Sequence, residues 1–295
     1  MGLGVLELAL AAEALGYAGA PGPFLGHVLA VLAITRFGSP EQRTRWLGPL
    51  ASGRAIGAVA WTEAHDRVRP EAWTSRLLDR AVTGEKRQAP YADLADVTVV
   101  GVAGGFALVE KDAPGQTIKA CDVADRTRRL ADIAYESTPA DPMPAEAAEA
   151  GRLVDAALVL LAADAFGGAC RLLDMSVEYA KTREQFGGPI GRFQGLKHQL
   201  ANMAVDVEPA RGLYWYAAHA HDKATPDAGR MAALAKAHLA DVFMQTARAA
   251  IEAHGGIGYT WEYEAQIWFK RAMFDFAFLG APSRHREHAA RLAGW

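Results

Sequence analysis

The spacing of apolar positions changes twice along the chain, and the first stretch, residues 1–54, is predicted to be helical. Leu6, Leu10 and Ala14 recur at helical intervals, and a second run with the same spacing follows a break rich in Gly and Pro. The sequence SPEQ at residues 39–42 combines a serine cap, a proline at the first helical position and a glutamine at the reciprocal position of a capping box. A third helix is therefore expected to begin there.

Residues 55–144 contain short apolar or β-branched runs separated by Gly, Asp and Pro, a pattern typical of strands. The predicted strands are residues 55–62, 97–102, 105–110 and 116–120, and residues 126–137 are predicted as a further strand pair. Because these runs lie too close together to hold crossover helices, we expect an antiparallel barrel or sandwich.

Residues 145–295 are predicted to form a four-helix bundle. Helical periodicity covers residues 151–180 and 231–253, and a last helix is expected after Pro282. Apolar side chains at alternating steps of four and three mark a bundle seam; they are Leu196, Leu200, Met203, Val207, Ala210 and Tyr214. The chain is therefore expected to have an α+β fold: a helical segment, an antiparallel β-domain and a helical bundle, in that order.

The composition restricts the partner and the compartment. The chain has 295 residues, 51% of them apolar, and a net charge of −3, which argues against nucleic acid or an anionic membrane as a partner. The longest uninterrupted apolar run, residues 156–163, is far shorter than the ~20 residues of a membrane-spanning helix. Cys121 and Cys170 are too few for a disulfide framework and indicate a reducing compartment. We therefore expect a cytoplasmic protein without a metal site.

Three segments carry specific motifs. Residues 179–190 have the sequence YAKTREQFGGPI and are followed by Phe193 and Gln194; residues 254–263 have the sequence HGGIGYTWEY, and residues 60–63 the sequence AWTE. Together they resemble the acyl-CoA dehydrogenase family across essentially the whole chain, and the R-x-Q-F-G-x-P-I…F-Q element is highly specific. The resemblance implies the same order of helical, β and bundle domains, FAD as cofactor, and dehydrogenation of the Cα–Cβ bond of an acyl-CoA thioester.

The resemblance also assigns residues to the binding of FAD. They are Trp61, Thr62, Arg183, Gln185, Phe186, Ile190, Phe193, Glu252, Gly255 and Gly256. Arg183 offers a forked cationic donor for the pyrophosphate, and Gly255 and Gly256 permit close approach of the backbone. Phe186 offers a flat apolar surface to the adenine or to a neighbouring bundle. In the family these groups reach the FAD of an adjacent subunit, so an oligomer is expected.

The sequence departs from the family at the catalytic base. The family carries a glutamate base in a loop after a long helix, and the matching residues 276–283 contain no carboxylate. A base on the first bundle helix, as in some family members, falls at Ala157, and Asp155 lies about 200° away around that helix. The catalytic residues are therefore left unassigned.

The central region departs from the family too. The family has a glycine turn after its T-E-P sequence, whereas residues 62–69 contain no glycine. Gln88 and Pro90 stand where the family has a tryptophan that covers the flavin and a nearby threonine. Glu252 replaces a glutamine near the pyrophosphate, which a carboxylate repels unless a cation offsets it. Residues 2–13 match the middle of the family's first domain, so its opening helices are expected to be missing.

Three hypotheses follow from the retained and the lost features. In the first, the chain is the small subunit of a heteromeric acyl-CoA dehydrogenase of the actinobacterial, steroid-degrading type, and it completes the FAD site of a base-bearing partner. In the second, it is a self-sufficient homotetrameric dehydrogenase with Glu262 as the candidate base. In the third, it is a flavin-free scaffold or pseudoenzyme. The resemblance further implies an electron-transfer flavoprotein as the electron acceptor.

Overall fold

The computed structural model describes residues 4–295, except for the side chain of Asp66. Contacts divide the chain into two compact units, Pro21–Ala157 and a second unit that joins Leu158–Trp295 with the chain up to Ala20. Helix α1 (Val5–Tyr17) therefore groups with the C-terminal helices, while the next two helices group with the strands. The division at residues 54 and 144, which follows chain order, stays a prediction.

The unit Pro21–Ala157 begins with α2 (Phe24–Phe37) and α3 (Pro40–Ala51). Helix α3 begins with the predicted capping box: Ser39 Oγ accepts a hydrogen bond from Gln42 N over 3.2 Å, and Gln42 Oε1 accepts one from Ser39 N over 2.8 Å. The reciprocal pair satisfies backbone donors that a helix start otherwise leaves free. The predicted start of this helix is confirmed.

The same unit contains two sheets. The strands are β1 (Gly57–Ala60), β2 (Arg76–Leu78), β3 (Ala81–Pro90), β4 (Val97–Val102), β5 (Gly105–Glu110), β6 (Gln116–Cys121), β7 (Leu130–Pro139) and β8 (Asp141–Pro144). Their orders are β1-β4-β5-β8 and β2-β3-β7-β6, and Val100 and Ala107 of the first sheet share a hydrophobic cluster with Ile133 and Tyr135 of the second. The pairing is antiparallel, as predicted, except that β1 pairs with β4 in parallel. A parallel pair requires a long connection, which β2 and β3 provide.

Strands with regular apolar patterns agree with the sequence prediction, and irregular ones do not. Strands β4 and β5 have the predicted bounds, whereas the predicted strand pair at residues 126–137 is wrong: the single strand β7 covers most of it. The sequence did not indicate β2, β3 or β8. Strand β3 is largely polar, and its register with β7 shifts between Val82 and Gly84 and between Lys86 and Ala89. Such bulges break the alternation by which strands are recognised.

The second unit is helical. Besides α1 and the C-terminal part of α4 (Ala147–Thr182), it contains α5 (Gln194–Val207), α6 (Arg211–Lys223), α7 (Ala228–His254), α8 (Ala265–Ala277) and α9 (Pro282–Leu292). The predicted seam is buried at Met203, Val207 and Tyr214, and a short 3-10 turn that contains Pro209 separates α5 from α6. Proline lacks the N–H that a continuous helix needs. The sequence did not predict α8.

Small residues allow α1 to pack closely. The helix buries the face with Ala9, Ala12 and Gly16, whereas the larger Leu10 is exposed. A Cβ atom on Gly16 would lie 2.1 Å from the carbonyl oxygen of Asp164, so only glycine permits this approach to α4.

Helix α4 is a core helix with a buried ion pair. By length and composition it could cross a membrane, with a mean hydropathy of 1.8 over its most apolar window, yet 94% of that window is buried inside the protein. Arg271 of α8 donates from Nε to Asp164 Oδ2 over 2.8 Å and from Nη1 to Ala20 O over 3.1 Å. These contacts connect α4 and α8 with the segment that follows α1, and the charged groups of Arg271 and Asp164 are buried within the protein.

Candidate functional site

Residues 183–190, which follow α4, form a β-hairpin with a two-residue loop. Gln185 N donates to Gly188 O over 2.9 Å, and Gly188 N donates to Gln185 O over 3.3 Å. The two residues between them, Phe186 and Gly187, have positive φ angles of 54° and 85°, which define a type I′ turn. The hairpin therefore presents Phe186 at its tip.

Phe186 is displayed to solvent. The residue is 84% exposed. Its backbone lies in the left-handed region, which aromatic residues rarely occupy. Arg192 donates from Nη1 to Gly187 O over 3.3 Å and from Nη2 to Phe186 O, and the ring of Phe193 lies edge-on to that of Phe186 at 5.9 Å. Because Phe193 is also 40% exposed, the two rings form a small contiguous apolar patch, a feature that can mark a contact site for another molecule.

Arg183 combines a fixed backbone with an uncommitted side chain. Its N donates to Tyr179 O and its carbonyl oxygen accepts from Ile190 N, both over 2.8 Å. The residue is exposed, and its guanidinium forms no hydrogen bond or ion pair with any residue that the structure describes. The neighbouring Gln185 is exposed as well. Arg183 is therefore available to bind an anion.

Gly255 and Gly256 form an open backbone segment at the end of α7. Gly255 has φ 65°, and the pair begins a 3-10 helix that extends to Tyr259. A Cβ atom built on either glycine would meet no described atom within 4 Å. The two glycines thus leave room for another group to approach the main chain.

An aromatic cluster connects the end of α4 with this glycine segment. The imidazole of His254 lies 4.5 Å from the ring of Tyr179 and 4.6 Å from that of Tyr263, measured between centroids. His254 is buried, its Nδ1 lies 2.7 Å from Ala250 O, and burial lowers the pKa of the imidazole. Tyr179 lies one helical turn before Arg183, and His254 directly precedes Gly255, so this cluster connects the hairpin with the glycine segment; we call the two together the hairpin surface.

Glu252 adds a negative charge to this surface. It is exposed in the last turn of α7, and its Oε2 accepts a hydrogen bond from Gln199 Nε2 over 3.4 Å. Gln199 also donates to Ala249 O over 3.2 Å, which holds α5 against the end of α7. The carboxylate predicted to lie near a pyrophosphate is therefore present and solvated.

Comparison with known proteins decides the family. Residues 153–293 match the acyl-CoA dehydrogenase C-terminal domain, and residues 1–54 match the acyl-CoA dehydrogenase N-terminal domain. Acyl-CoA dehydrogenase IpdE2 of Mycobacterium tuberculosis is 34% identical to this chain over 289 residues, which cover 97% of this chain and 76% of the relative. The chain belongs to the acyl-CoA dehydrogenase family. The resemblance that the motifs indicated is thereby confirmed.

Solved structures of acyl-CoA dehydrogenases have the same fold. A variant of the Tcur3481-Tcur3483 steroid ACAD has a TM-score of 0.91 and 28% identity, over 99% of this chain and 82% of that one. Butyryl-CoA dehydrogenase from Megasphaera elsdenii has a TM-score of 0.88 and 25% identity, over 100% of this chain and 83% of that one. The predicted fold class, FAD as the family's cofactor, and oxidation of a CH–CH bond of an acyl-CoA as its reaction are confirmed.

The hairpin surface fits the part of FAD that contains the anionic pyrophosphate and the adenine. Arg183 supplies an uncommitted forked donor, Phe186 an exposed ring, and the Gly255-Gly256 segment an open backbone. Ile190, which is partly exposed, and Phe193, which is exposed, flank this surface. The carboxylate of Glu252 opposes an anion there. The donors and the open space agree with the predicted role of these residues, which stays a prediction.

Trp61 and Thr62 lie in the unit Pro21–Ala157. Trp61 is only 3% exposed, its ring lies 5.9 Å from that of Phe106, and its buried Nε1 has no hydrogen-bond partner among the described residues. Thr62 is partly exposed, and its carbonyl oxygen accepts from Arg87 N over 2.8 Å. The indole therefore offers little surface to a flavin, and the assignment of both residues to FAD stays a prediction.

Sequence reasoning missed the role of Glu63, the next residue. Its carboxylate accepts hydrogen bonds from Lys86 Nζ over 2.6 Å, from Ser75 Oγ over 2.8 Å and from Thr74 Oγ1 over 2.7 Å, and also from the backbone N–H groups of Thr74 and Ser75. Both charged residues are buried. Burial raises the pKa of Glu63, but the bonds from Lys86, Ser75 and Thr74 outweigh it and lower the pKa to about 2. Burial lowers the pKa of Lys86 to about 8 against the attraction of Glu63.

The turn after Glu63 forms without glycine. His65 takes the left-handed conformation with φ 61°, and Glu63 N donates to Arg67 O over 3.0 Å. A residue other than glycine is strained there, and the buried carboxylate of Glu63 anchors the start of the turn. The chain therefore forms a turn here although it lacks the glycine that the family has after its T-E-P sequence.

The structure offers no base at the positions that the family uses. Residues 278–281 after α8 contain buried Leu279 and no carboxylate, and Asp155 accepts a hydrogen bond from Arg69 Nη1 over 2.7 Å. Glu262 is exposed beside a groove of about 1030 Å³ on the helical unit. The described residues also contain no group of three or more His, Cys, Asp or Glu that could hold a metal ion. The catalytic residues stay unassigned.

Proposed function

We propose that this chain is the small subunit of a heteromeric acyl-CoA dehydrogenase and completes the FAD site of a partner that carries the catalytic base. One observation carries the proposal: the hairpin presents an uncommitted Arg183 and an exposed Phe186, while residues 276–283 contain no carboxylate. The chain thus keeps residues that could bind FAD, although it lacks the carboxylate that would act as the catalytic base.

The residues of the hairpin surface would act on the partner's cofactor by binding and orientation. Arg183 would offset part of the negative charge of the pyrophosphate with two parallel N–H donors, and the Gly255-Gly256 backbone would allow the cofactor to lie close. Phe186 would cover an apolar face and exclude water from it. FAD, when bound, supplies the electron-accepting chemistry of the family. The partner would supply the carboxylate that removes the substrate proton.

We propose a bulky acyl-CoA, such as a steroid side-chain thioester, as the substrate. The similarity to the Tcur3481-Tcur3483 steroid ACAD supports this class, and its name joins two gene products. Two unlike subunits can enclose a wider acyl pocket than two identical ones. The proposed substrate class is tested by comparing the turnover of a steroid acyl-CoA with that of butyryl-CoA by the assembled protein. Faster turnover of butyryl-CoA would contradict it and would indicate a narrow pocket.

The acceptor and the compartment are proposals as well. An electron-transfer flavoprotein is the acceptor that membership of the family implies. A cytoplasmic location agrees with the bacterial origin of the relatives from Mycobacterium tuberculosis and Bacillus subtilis, and with two cysteines that are not disulfide-bonded.

Native mass spectrometry tests the proposed role. The chain is measured alone and after co-expression with any acyl-CoA dehydrogenase-like protein that is encoded beside it. We expect a mixed assembly with fewer flavins than chains. A homo-oligomer with one FAD per chain would replace the proposal by the homotetramer, with Glu262 as the first residue to test. An assembly without any flavin would replace it by the scaffold.

A further inference from the structure

We propose that Arg192 is the positioning residue of the hairpin: it holds the tip, Phe186 and Gly187, in the arrangement that the partner's FAD site requires. The inference rests on the proposed function, since it concerns the same surface. Arg192 is itself exposed and belongs to the short 3-10 turn before α5, outside the residues assigned to the cofactor.

The tip of the hairpin needs support. Phe186 has φ 54°, a region that is disfavoured for an ordinary L-residue, and its ring packs little because the residue is 84% exposed. Gly187 accepts its φ of 85° without strain, so the cost falls on Phe186. Without an additional restraint, the turn would relax and the ring would sample other directions.

Arg192 supplies that restraint from one planar group. Its Nη1 and Nη2 donate to the carbonyl oxygens of Gly187 and Phe186, the two residues of the tip. Its guanidinium carbon lies 5.0 Å from the ring centroid of Phe193, which in turn meets the ring of Phe186 edge-on. The side chain thus fixes the backbone of the tip and the ring beside it together.

Two glycines make this geometry accessible. A Cβ atom on Gly188 would lie 3.1 Å from Arg192 Nη1, so a larger residue would crowd the guanidinium. A Cβ atom on Gly191 would lie 2.8 Å from Ala180 O, so only glycine lets the chain pass the end of α4 and place Arg192 beneath the tip. Lysine could not replace Arg192, because an ammonium lacks the planar fork and the stacking surface.

The test uses the assembled, flavin-containing protein with Arg192→Ala, Arg192→Lys and Arg183→Ala, and with Arg76→Ala as an exposed-arginine control on β2. Hydrogen exchange is followed at the amides of Gln185, Gly188 and Ile190, and FAD affinity is measured by titration of the apo assembly. We expect Arg192→Ala to accelerate exchange and to weaken FAD binding, each about tenfold. Arg192→Lys should restore neither, and Arg183→Ala should weaken FAD binding without faster exchange.

The outcomes separate this inference from the proposed function. If Arg183→Ala weakens FAD binding but Arg192→Ala does not, Arg192 has no positioning role, whether or not exchange accelerates. Full recovery with Arg192→Lys would also overturn the inference, because a point charge would then suffice. If Arg183→Ala leaves FAD affinity unchanged, the proposed function itself fails.

Discussion

Lys86 and Arg183 show how differently this chain uses two cations. Lys86 has no exposed surface and donates to the carboxylate of Glu63, both oxygens of which accept hydrogen bonds. Arg183 is exposed, and its guanidinium bonds to none of the residues that the structure describes. A buried charge requires a partner within the fold, whereas an exposed one does not. Lys86 therefore connects strand β3 with the segment that contains Glu63, whereas Arg183 is available to another molecule.

Removal of Glu63 should give the largest effect. Glu63→Ala leaves the ammonium of Lys86 buried and without its carboxylate, which costs about 3–5 kcal/mol of unfolding free energy. Urea unfolding followed by circular dichroism measures the loss. The control Glu85→Gln changes an exposed carboxylate and should stay within about 0.5 kcal/mol. The double variant Glu63→Leu/Lys86→Met should recover part of the loss, and a Glu63→Ala loss below 1 kcal/mol would contradict a supporting role.

The same ion pair predicts a pH dependence. The folded pKa of Glu63 is about 2, below its ordinary value of 4.5, so the ionised carboxylate stabilises the fold above pH 4.5. That contribution is lost as the pH falls from 4.5 towards 2. The difference in unfolding free energy between the wild type and Glu63→Gln should therefore shrink over this interval. A difference that stays constant would place the stabilisation outside the ionised carboxylate.

The parts of the molecule that sequence could predict are those set by short-range patterns. The capping box of α3 and the runs of β4 and β5 are local, and the structure has them where the sequence places them. The Glu63–Lys86 pair joins residues 23 apart through a bulged, polar strand, so neither periodicity nor a motif indicates it. The composition of the hairpin surface followed from a motif, but the support from Arg192 depends on a turn conformation that no spacing reveals.

Replacement of Arg183 should affect binding and leave folding unchanged. Arg183→Ala removes a charge-assisted donor of about 1.5–3 kcal/mol, so FAD affinity of the assembled protein should fall about tenfold to a hundredfold. Unfolding of the chain alone should change by less than about 0.5 kcal/mol, because the guanidinium has no described partner. Fluorimetric titration with FAD measures the first effect. If added salt lowers the FAD affinity of the wild type and of Arg183→Ala by the same factor, a direct contact between Arg183 and the pyrophosphate is contradicted.

Phe186 provides the smallest and sharpest comparison, because stability and binding should change in opposite directions. Asparagine tolerates the left-handed backbone, so Phe186→Asn should stabilise the isolated chain by about 0.5–1 kcal/mol, while the loss of an exposed ring costs it little. Association with the partner, measured by titration, should nevertheless weaken.

Leu279 is the matched control, since it has φ 58° but is buried. Leu279→Asn relieves similar backbone strain and loses apolar burial of about 1.5–3 kcal/mol, so it should destabilise the chain. If Phe186→Asn destabilises the chain as Leu279→Asn does, the ring of Phe186 contributes to packing within its own subunit. In that case the hairpin would belong with the Glu63–Lys86 pair as a structural element, and the proposed contact with a partner would lose its main support.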